Sequence, residues 1–264
     1  METSHADVTT EQVRHFWESN PLCAAAIPHA RGSREYFEFH NKLREEVEPL
    51  ELAERVHEFG AFRGKKVLEV GCGNGYALSK YAAAGADVYG VDLTEAAVQL
   101  TTKRFEWAGL KGNFQIGDAQ NLPFEDATFD CVCSMGVLHH VPDTRRAFGE
   151  VFRVLKPGGR VIVMLYHRNS ALYQCAFRLL SLVKGKSMVD LVNEVDGVGN
   201  PKGQVYSSAE MRDLLAPYRS VETFAGCIKG EMVLPKYGHW LPQPLLDRFE
   251  SRWGWFLYGK GIKP

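Results

Sequence analysis

The chain has 264 residues, 45% of them hydrophobic and 24% charged, with a formal net charge of −1. That length allows one or two domains and a core that needs no disulfide or metal. The near-neutral charge argues against a partner held mainly by phosphate neutralisation, so no nucleic acid is expected.

The opening METSHADVTTEQVRHFWESN is polar and acidic and is not read as a signal peptide. Thr9 and Gln12 match a capping box for a helix carrying Val13, Phe16 and Trp17, stopped at Asn20-Pro21. A second helix is expected from Ser33 or Arg34 to about Phe59, interrupted near Pro49. From Lys66 the pattern alternates. Apolar runs at 67–70, 88–91, 114–116, 129–133 and 160–165 are separated by helical stretches at 76–84, 94–107 and 143–155. Strands alternating with helices predict an α/β fold with a parallel sheet covered on both faces.

Beyond Tyr166 the alternation loosens. An amphipathic helix is expected over 170–183, a loop over 185–205, a capped helix from Ser207-x-x-Glu210, and closing strands at 220–224 and 253–258. The long connection 227–250 reads as a lid or binding loop. Three regions result: an N-terminal helical lid (1–60), a cofactor-binding core (61–166), and a completion of the sheet with substrate-cap insertions (167–264), within one catalytic domain overall.

No stretch is long enough to span a bilayer, so no stable membrane insertion is expected and the location is expected to be cytoplasmic. Cysteines 23, 72, 131, 133, 175 and 227 are scattered, without a C-x-x-C pair. Cys131 and Cys133, two apart on an expected strand, face one side and read as small core residues. No metal is expected, because there is no H-E-x-x-H and no clustered Cys/His set.

The strongest chemical signal is the run from Val67 to Gly75, VLEVGCGNG. A strand ends, a glycine turn follows, and a helix begins, so backbone N–H groups can meet a ligand closely. The NAD fingerprint needs its third glycine where Tyr76 stands, and the G-x-x-x-x-G-K-[ST] phosphate loop is absent. Asp92 ends the second strand, where a carboxylate can accept both hydroxyls of a ribose. Asp118 ends the third and can hold an exocyclic amine such as that of adenine.

In order and spacing, EVGCGNG, VDLT, GDAQNLPF, FDCVCSMGVLHHV and LKPGGRVIV resemble the successive motifs of class I S-adenosylmethionine-dependent methyltransferases. The LPF and LHHV wording is similar to the small-molecule branch that includes quinone-biosynthesis and natural-product enzymes. The resemblance is dense over 60–166 and loose in the closing strands. It implies a Rossmann-like, seven-stranded, mostly parallel sheet with a helical and loop cap. The implied cofactor is S-adenosyl-L-methionine and the implied partner a small-molecule methyl acceptor, methylated by in-line displacement at an unresolved O, N, C or S atom.

It also implies roles. Glu69 and the backbone of Gly71, Cys72 and Gly73, in the turn closed by Gly75, hold the methionine part. Asp92 holds the ribose, Leu93 lies against adenine, and Asp118 and Ala119 hold its amine and ring. Ser134 and Met135 lie under the cofactor near the sulfonium. His139 and His140 follow the fourth strand and are candidate general bases, with buried hydrogen-bonded side chains as the alternative. Tyr166, His167 and Arg168 are candidate acceptor contacts. So are Tyr36 and Trp240, although side chains such as these two, Trp17 and Tyr206 more often serve packing. No N-P-P-[YF]-like sequence follows the fourth strand, which points away from flipped bases. The rival reading is a non-catalytic protein that binds S-adenosylmethionine for regulation.

Overall fold

The computed structural model describes residues 8–21 and 26–264. Cys23 and the first seven residues of the expected lid lie outside the described residues. The other five cysteines are free.

Thr9 caps α1 (Thr10–Ser19) by the expected capping box. Ser33 caps α2 (Arg34–Val47), and Pro49 separates it from α3 (Leu50–His57). The alternating core follows: β1 (Lys66–Val70), α4 (Tyr76–Ala83), β2 (Asp87–Asp92), α5 (Glu95–Ala108), β3 (Asn113–Ile116), β4 (Phe129–Met135), α6 (Thr144–Val154) and β5 (Leu155–His167). The remainder comprises α7 (Arg178–Lys184), α8 (Met188–Asn193), β6 (Val205–Tyr206), α9 (Ser208–Leu214), β7 (Arg219–Gly226), α10 (Gly230–Val233), α11 (Gln243–Trp253) and β8 (Phe256–Ile262).

The sheet runs β3-β2-β1-β4-β5-β8-β7, seven strands in one path, with two-residue β6 added beside the end of β5. β1 to β5 are parallel; β8 alone runs opposite to the other strands. The expected Rossmann-like α/β sheet is therefore present. Strand alternation divides the core in two. Leu68, Val70, Val132, Val161 and Val163 pack toward α6 and α9, while Val67, Cys131, Cys133, Ile162 and Met164 pack toward α3 and α4. Cys131 and Cys133 thus share one face, as their spacing predicts.

The expected helix over 170–183 is present, as a π-helical turn at Leu172–Phe177 that runs into α7. Two local expectations need correction. The expected loop 185–205 contains α8. The last strand is Phe256–Ile262, and Trp253 ends α11 instead. Glycines at 259 and 261 disguise that strand. A Cβ at Gly259 would stand 2.8 Å from Leu215 and Met211, and one at Gly261 2.8 Å from Tyr218, so close packing under α9 and its end demands glycine there.

From β1 the chain winds to one side through β2 and β3, and from β4 to the other side. The carboxyl ends of β1 and β4 therefore flank the switch point, where open α/β sheets bind ligands.

Candidate active site

A cleft opens at this switch point. Its floor is the turn after β1, the ends of β2 and β3, and the segment after β4; α1 and α2 cover it.

The turn between β1 and α4 is forced into shape. Gly71 has φ +76°, and a Cβ there would meet Val137 at 2.2 Å. Gly73 has φ +55°, and a Cβ there would have nothing within 4 Å, so this part of the turn faces open space. Two α5 side chains hold the carbonyls of the turn. Thr101 Oγ1 donates to Gly73 O at 3.1 Å, and Arg104 Nε to Asn74 O at 2.6 Å. Arg104 is buried, also donates to Asn41 Oδ1 at 2.8 Å, and lies over the Phe37 ring. Burial lowers its pKa to about 10.

Asp92 ties the turn to β2. Its Oδ2 accepts from Gly73 N at 3.0 Å, and its Oδ1 accepts from Thr94 N at 3.0 Å and Thr94 Oγ1 at 2.9 Å. Burial raises its pKa, against the hydrogen bonds that lower it. Glu69 is buried at the cleft, accepts from Leu78 N at 3.2 Å, and is pushed up to about 8 by desolvation. Asp118 Oδ1 accepts from Gln120 N at 2.8 Å, and its Oδ2 meets Thr10 Oγ1 of α1 at 3.5 Å.

Of the residues expected around the cofactor, Glu69, Gly71, Cys72, Gly73, Asp92, Leu93, Asp118, Ala119 and Met135 border one cleft. Gly75 and Ser134 do not: Gly75 caps α4 with φ +74°, and Ser134 is buried and donates to Val70 O at 2.9 Å.

The two histidines separate. His139 is fully buried, does not border the cleft, and neither ring nitrogen has a hydrogen-bond partner among the described residues. Burial drives its pKa well below the ordinary value. His140 borders the cleft, edge-on to Trp17 of α1. Its Nδ1 lies 2.5 Å from Lys202 O, while its Nε2 is buried 3.4 Å from Asp196 Oδ2 without a hydrogen bond among the described residues.

Among the expected acceptor contacts, Tyr36 alone borders the cleft. Tyr166 donates to Asp196 Oδ1 at 2.6 Å and stacks on Trp255. His167 Nδ1 is 2.9 Å from Gly254 O, and Arg168 pairs with Glu210 at 3.0 Å. Trp240 is exposed and away from the cleft.

Several residues at or behind the cleft escaped the sequence reading. His40 and Arg44 follow Tyr36 at helical i, i+4, i+8 spacing and line the same wall. Thr101 and Arg104, three apart on α5, were polar residues on a face that buries Leu100 and Phe105. That mismatch was a readable signal. Asp196 and Lys202 carried none, because their partner lies about sixty residues away in sequence.

Residues 68–163 match the family model described as "Methyltransferase domain". Over these residues the chain carries a methyltransferase domain. Two curated relatives match part of the chain. One is the phthiotriol/phenolphthiotriol dimycocerosates methyltransferase of Mycobacterium tuberculosis, 45% identical over 98 residues, which are 36% of this chain and 36% of that protein. The other is the ubiquinone biosynthesis O-methyltransferase of Coxiella burnetii, 35% identical over 111 residues, 42% of this chain and 47% of the relative. The match thus spans less than half of each relative's length.

Solved structures share the fold. An S-adenosylmethionine-dependent methyltransferase of Thermotoga maritima aligns at TM-score 0.57 and 20% identity, over 96% of this chain and 100% of the other. The cyclase SpnF aligns equally well, at TM-score 0.57 and 17% identity, over 97% and 96%. Fold alone therefore does not fix the chemistry. Glu69, Asp92, Asp118 and His140 fall inside the methyltransferase domain; Tyr36, His40, Arg44 and Asp196 fall outside it.

Proposed function

We propose that the protein transfers the methyl group of S-adenosylmethionine to a small-molecule acceptor. The observation that carries this reading is Asp92. It is a carboxylate at the cleft with no basic partner among the described residues, beside a glycine turn whose outer face is open. Such a group fits neutral donors, and a ribose diol supplies two.

In this reading Glu69 lies by the methionine ammonium, Gly71, Cys72 and Gly73 present backbone to the methionine chain, and Leu93 and Ala119 flank the adenine. Asp118 accepts from its exocyclic amine. When bound, S-adenosylmethionine supplies an electrophilic methyl carbon, whose bond to sulfur breaks as the acceptor's lone pair bonds to it, leaving S-adenosylhomocysteine. Met135 and Tyr36 border the space for the acceptor, and α1 with Trp17 excludes water.

A hydroxyl or neutral amine acceptor must also lose a proton. The proposed recipient is His140, whose ring borders the cleft and whose Nε2 lies 3.4 Å from Asp196 Oδ2. His139 is not proposed, because neither its nitrogens nor its ring reach the cleft. The acceptor class is a small lipophilic molecule, supported by the two curated relatives and by an apolar approach of Val13, Trp17 and Val141. The expected cytoplasmic location remains part of this proposal; no helix among the described residues is long and apolar enough to cross a membrane.

Titration calorimetry with S-adenosylhomocysteine tests the cofactor; binding is expected, with none for NAD. Binding without methyl transfer to any quinol, phenol or lipid hydroxyl offered would favour the regulatory alternative.

A further inference from the structure

The chain leaves β7 at Gly226 and returns to β8 at Phe256, two residues paired with each other beside Tyr166 near the carboxyl end of β5. The intervening residues form an insertion whose outer surface is unusually apolar. On α11, Leu245, Phe249 and Trp253 are spaced i, i+4, i+8 and are 46%, 40% and 43% exposed. Leu246 faces inward instead, against Ile228 and Ala171. Earlier in the insertion Leu234, Tyr237 and Trp240 are exposed, Trp240 by 74%. A tryptophan so open to water is uncommon in a core-forming role.

This exposure is built in. A Cβ at Gly230 would fall 1.9 Å from Gly238 O, and one at Gly254 2.3 Å from Gly226 O. The backbone of the insertion is thus locked to itself and to the sheet edge, with the aromatics outside.

Charge selects the partner. Arg248 and Arg252 sit three residues after Leu245 and Phe249, bordering the apolar arc. No carboxylate pairs with either among the described residues. The two acids of α11 are turned elsewhere: Asp247 accepts from Gln243 at 2.8 Å, and Glu250 from Cys227 N at 2.8 Å. Lys236 stands over the Tyr237 ring. Exposed tryptophan and tyrosine rings, Lys236 over one of them, and two arginines unpaired among the described residues on the same insertion suit the boundary between lipid headgroups and acyl chains.

We propose that this insertion docks the protein reversibly on an anionic lipid surface, with the aromatics at headgroup depth and the arginines on lipid phosphates. The docking stands on its own and does not require the methyltransferase reading. If both hold, the insertion meets a membrane from which a lipophilic acceptor can be drawn.

Co-sedimentation of the full chain with vesicles tests it. Binding is expected to phosphatidylcholine vesicles containing phosphatidylglycerol, weaker to phosphatidylcholine alone, and reduced by salt. Phe249→Ala and Trp240→Ala should each weaken binding about tenfold. Arg248→Glu with Arg252→Glu should weaken it further for anionic vesicles, with the melting temperature of each variant confirming the fold. Absence of binding to anionic vesicles, or binding unchanged in all these variants, overturns the proposal. So does sedimentation analysis showing that the same face joins two copies of the chain, with the variants monomeric. Calorimetry with S-adenosylhomocysteine, run in parallel, reports on the cofactor separately.

Discussion

The backbone N–H of Gly73 donates to Asp92 Oδ2 at 3.0 Å, joining the turn after β1 to the end of β2. One carboxylate thereby fixes the glycine turn and keeps one acceptor position open on Oδ2 at the cleft. Asp92→Ala should remove both functions. S-adenosylhomocysteine affinity should fall by about 1–3 kcal/mol or somewhat more, the range for a lost charged acceptor. Asp92→Asn, which keeps one acceptor oxygen, should lose less. Unchanged affinity in Asp92→Ala, read by calorimetry, would exclude the ribose role.

Arg104 holds the same turn from behind through Asn74, and reaches α2 through Asn41. Arg104→Ala leaves buried acceptors unsatisfied and a void beneath Phe37. A stability loss of about 2–5 kcal/mol is expected in urea unfolding. Arg104→Lys keeps the charge but not the planar fork, so it should recover only part of that loss. A surface-like effect below about 0.5 kcal/mol would show that the turn stands without it.

Glu69 gives the ligand-free protein a pH dependence of defined sign. Its folded pKa, about 8, lies above the ordinary 4.5 because burial disfavours the charged form. The folded chain therefore binds a proton that the unfolded chain has released. That contribution to stability is full below about 4.5 and declines as pH rises toward about 8. Glu69→Gln should abolish this slope in urea midpoints measured across the interval. In the proposed complex the methionine ammonium favours the ionised carboxylate, so binding should release a proton. Calorimetry in buffers of different ionisation enthalpy measures it, and zero release near neutral pH would contradict the placement.

Glu18 fastens α1 over the cleft. Its two carboxylate oxygens accept from Glu95 N and Ala96 N, both at 3.0 Å, at the start of α5. Glu18→Ala should weaken the lid by about 0.5–2 kcal/mol, the value of a helix N-terminal cap. The melting temperature should hardly move, because Glu18 is exposed. Dissociation of S-adenosylhomocysteine should become several-fold faster in stopped-flow; an unchanged rate would mean that α1 does not gate release.

The two histidines should part company. His139→Phe should be neutral or stabilising, since it removes two buried nitrogens without partners among the described residues and keeps the ring against Tyr166. His140→Ala breaks the links to Asp196 and Lys202. Hydrogen exchange over 188–202 should quicken. If His140 takes the proton, turnover on a hydroxyl acceptor should also fall about a hundredfold. Near-normal turnover in His140→Ala would leave positioning of the acceptor as the source of rate.

The local sequence determined the strand–turn–helix at 67–76, the caps at Thr9, Ser33 and Ser207, and the carboxylates at the strand ends. Each depends on neighbours within a few residues, through glycine dihedrals, side-chain capping and strand period, so each is written locally. Strand β8 was obscured because Gly259 and Gly261 are set by α9 and Tyr218, which pack on them from some forty residues earlier. Likewise Asp196 and Lys202 meet His140, and Tyr36, His40 and Arg44 reach the cleft, only when distant elements fold together. Tertiary packing decided these matters because a buried polar group is satisfied by whatever the fold brings to it, and sequence spacing does not record that partner.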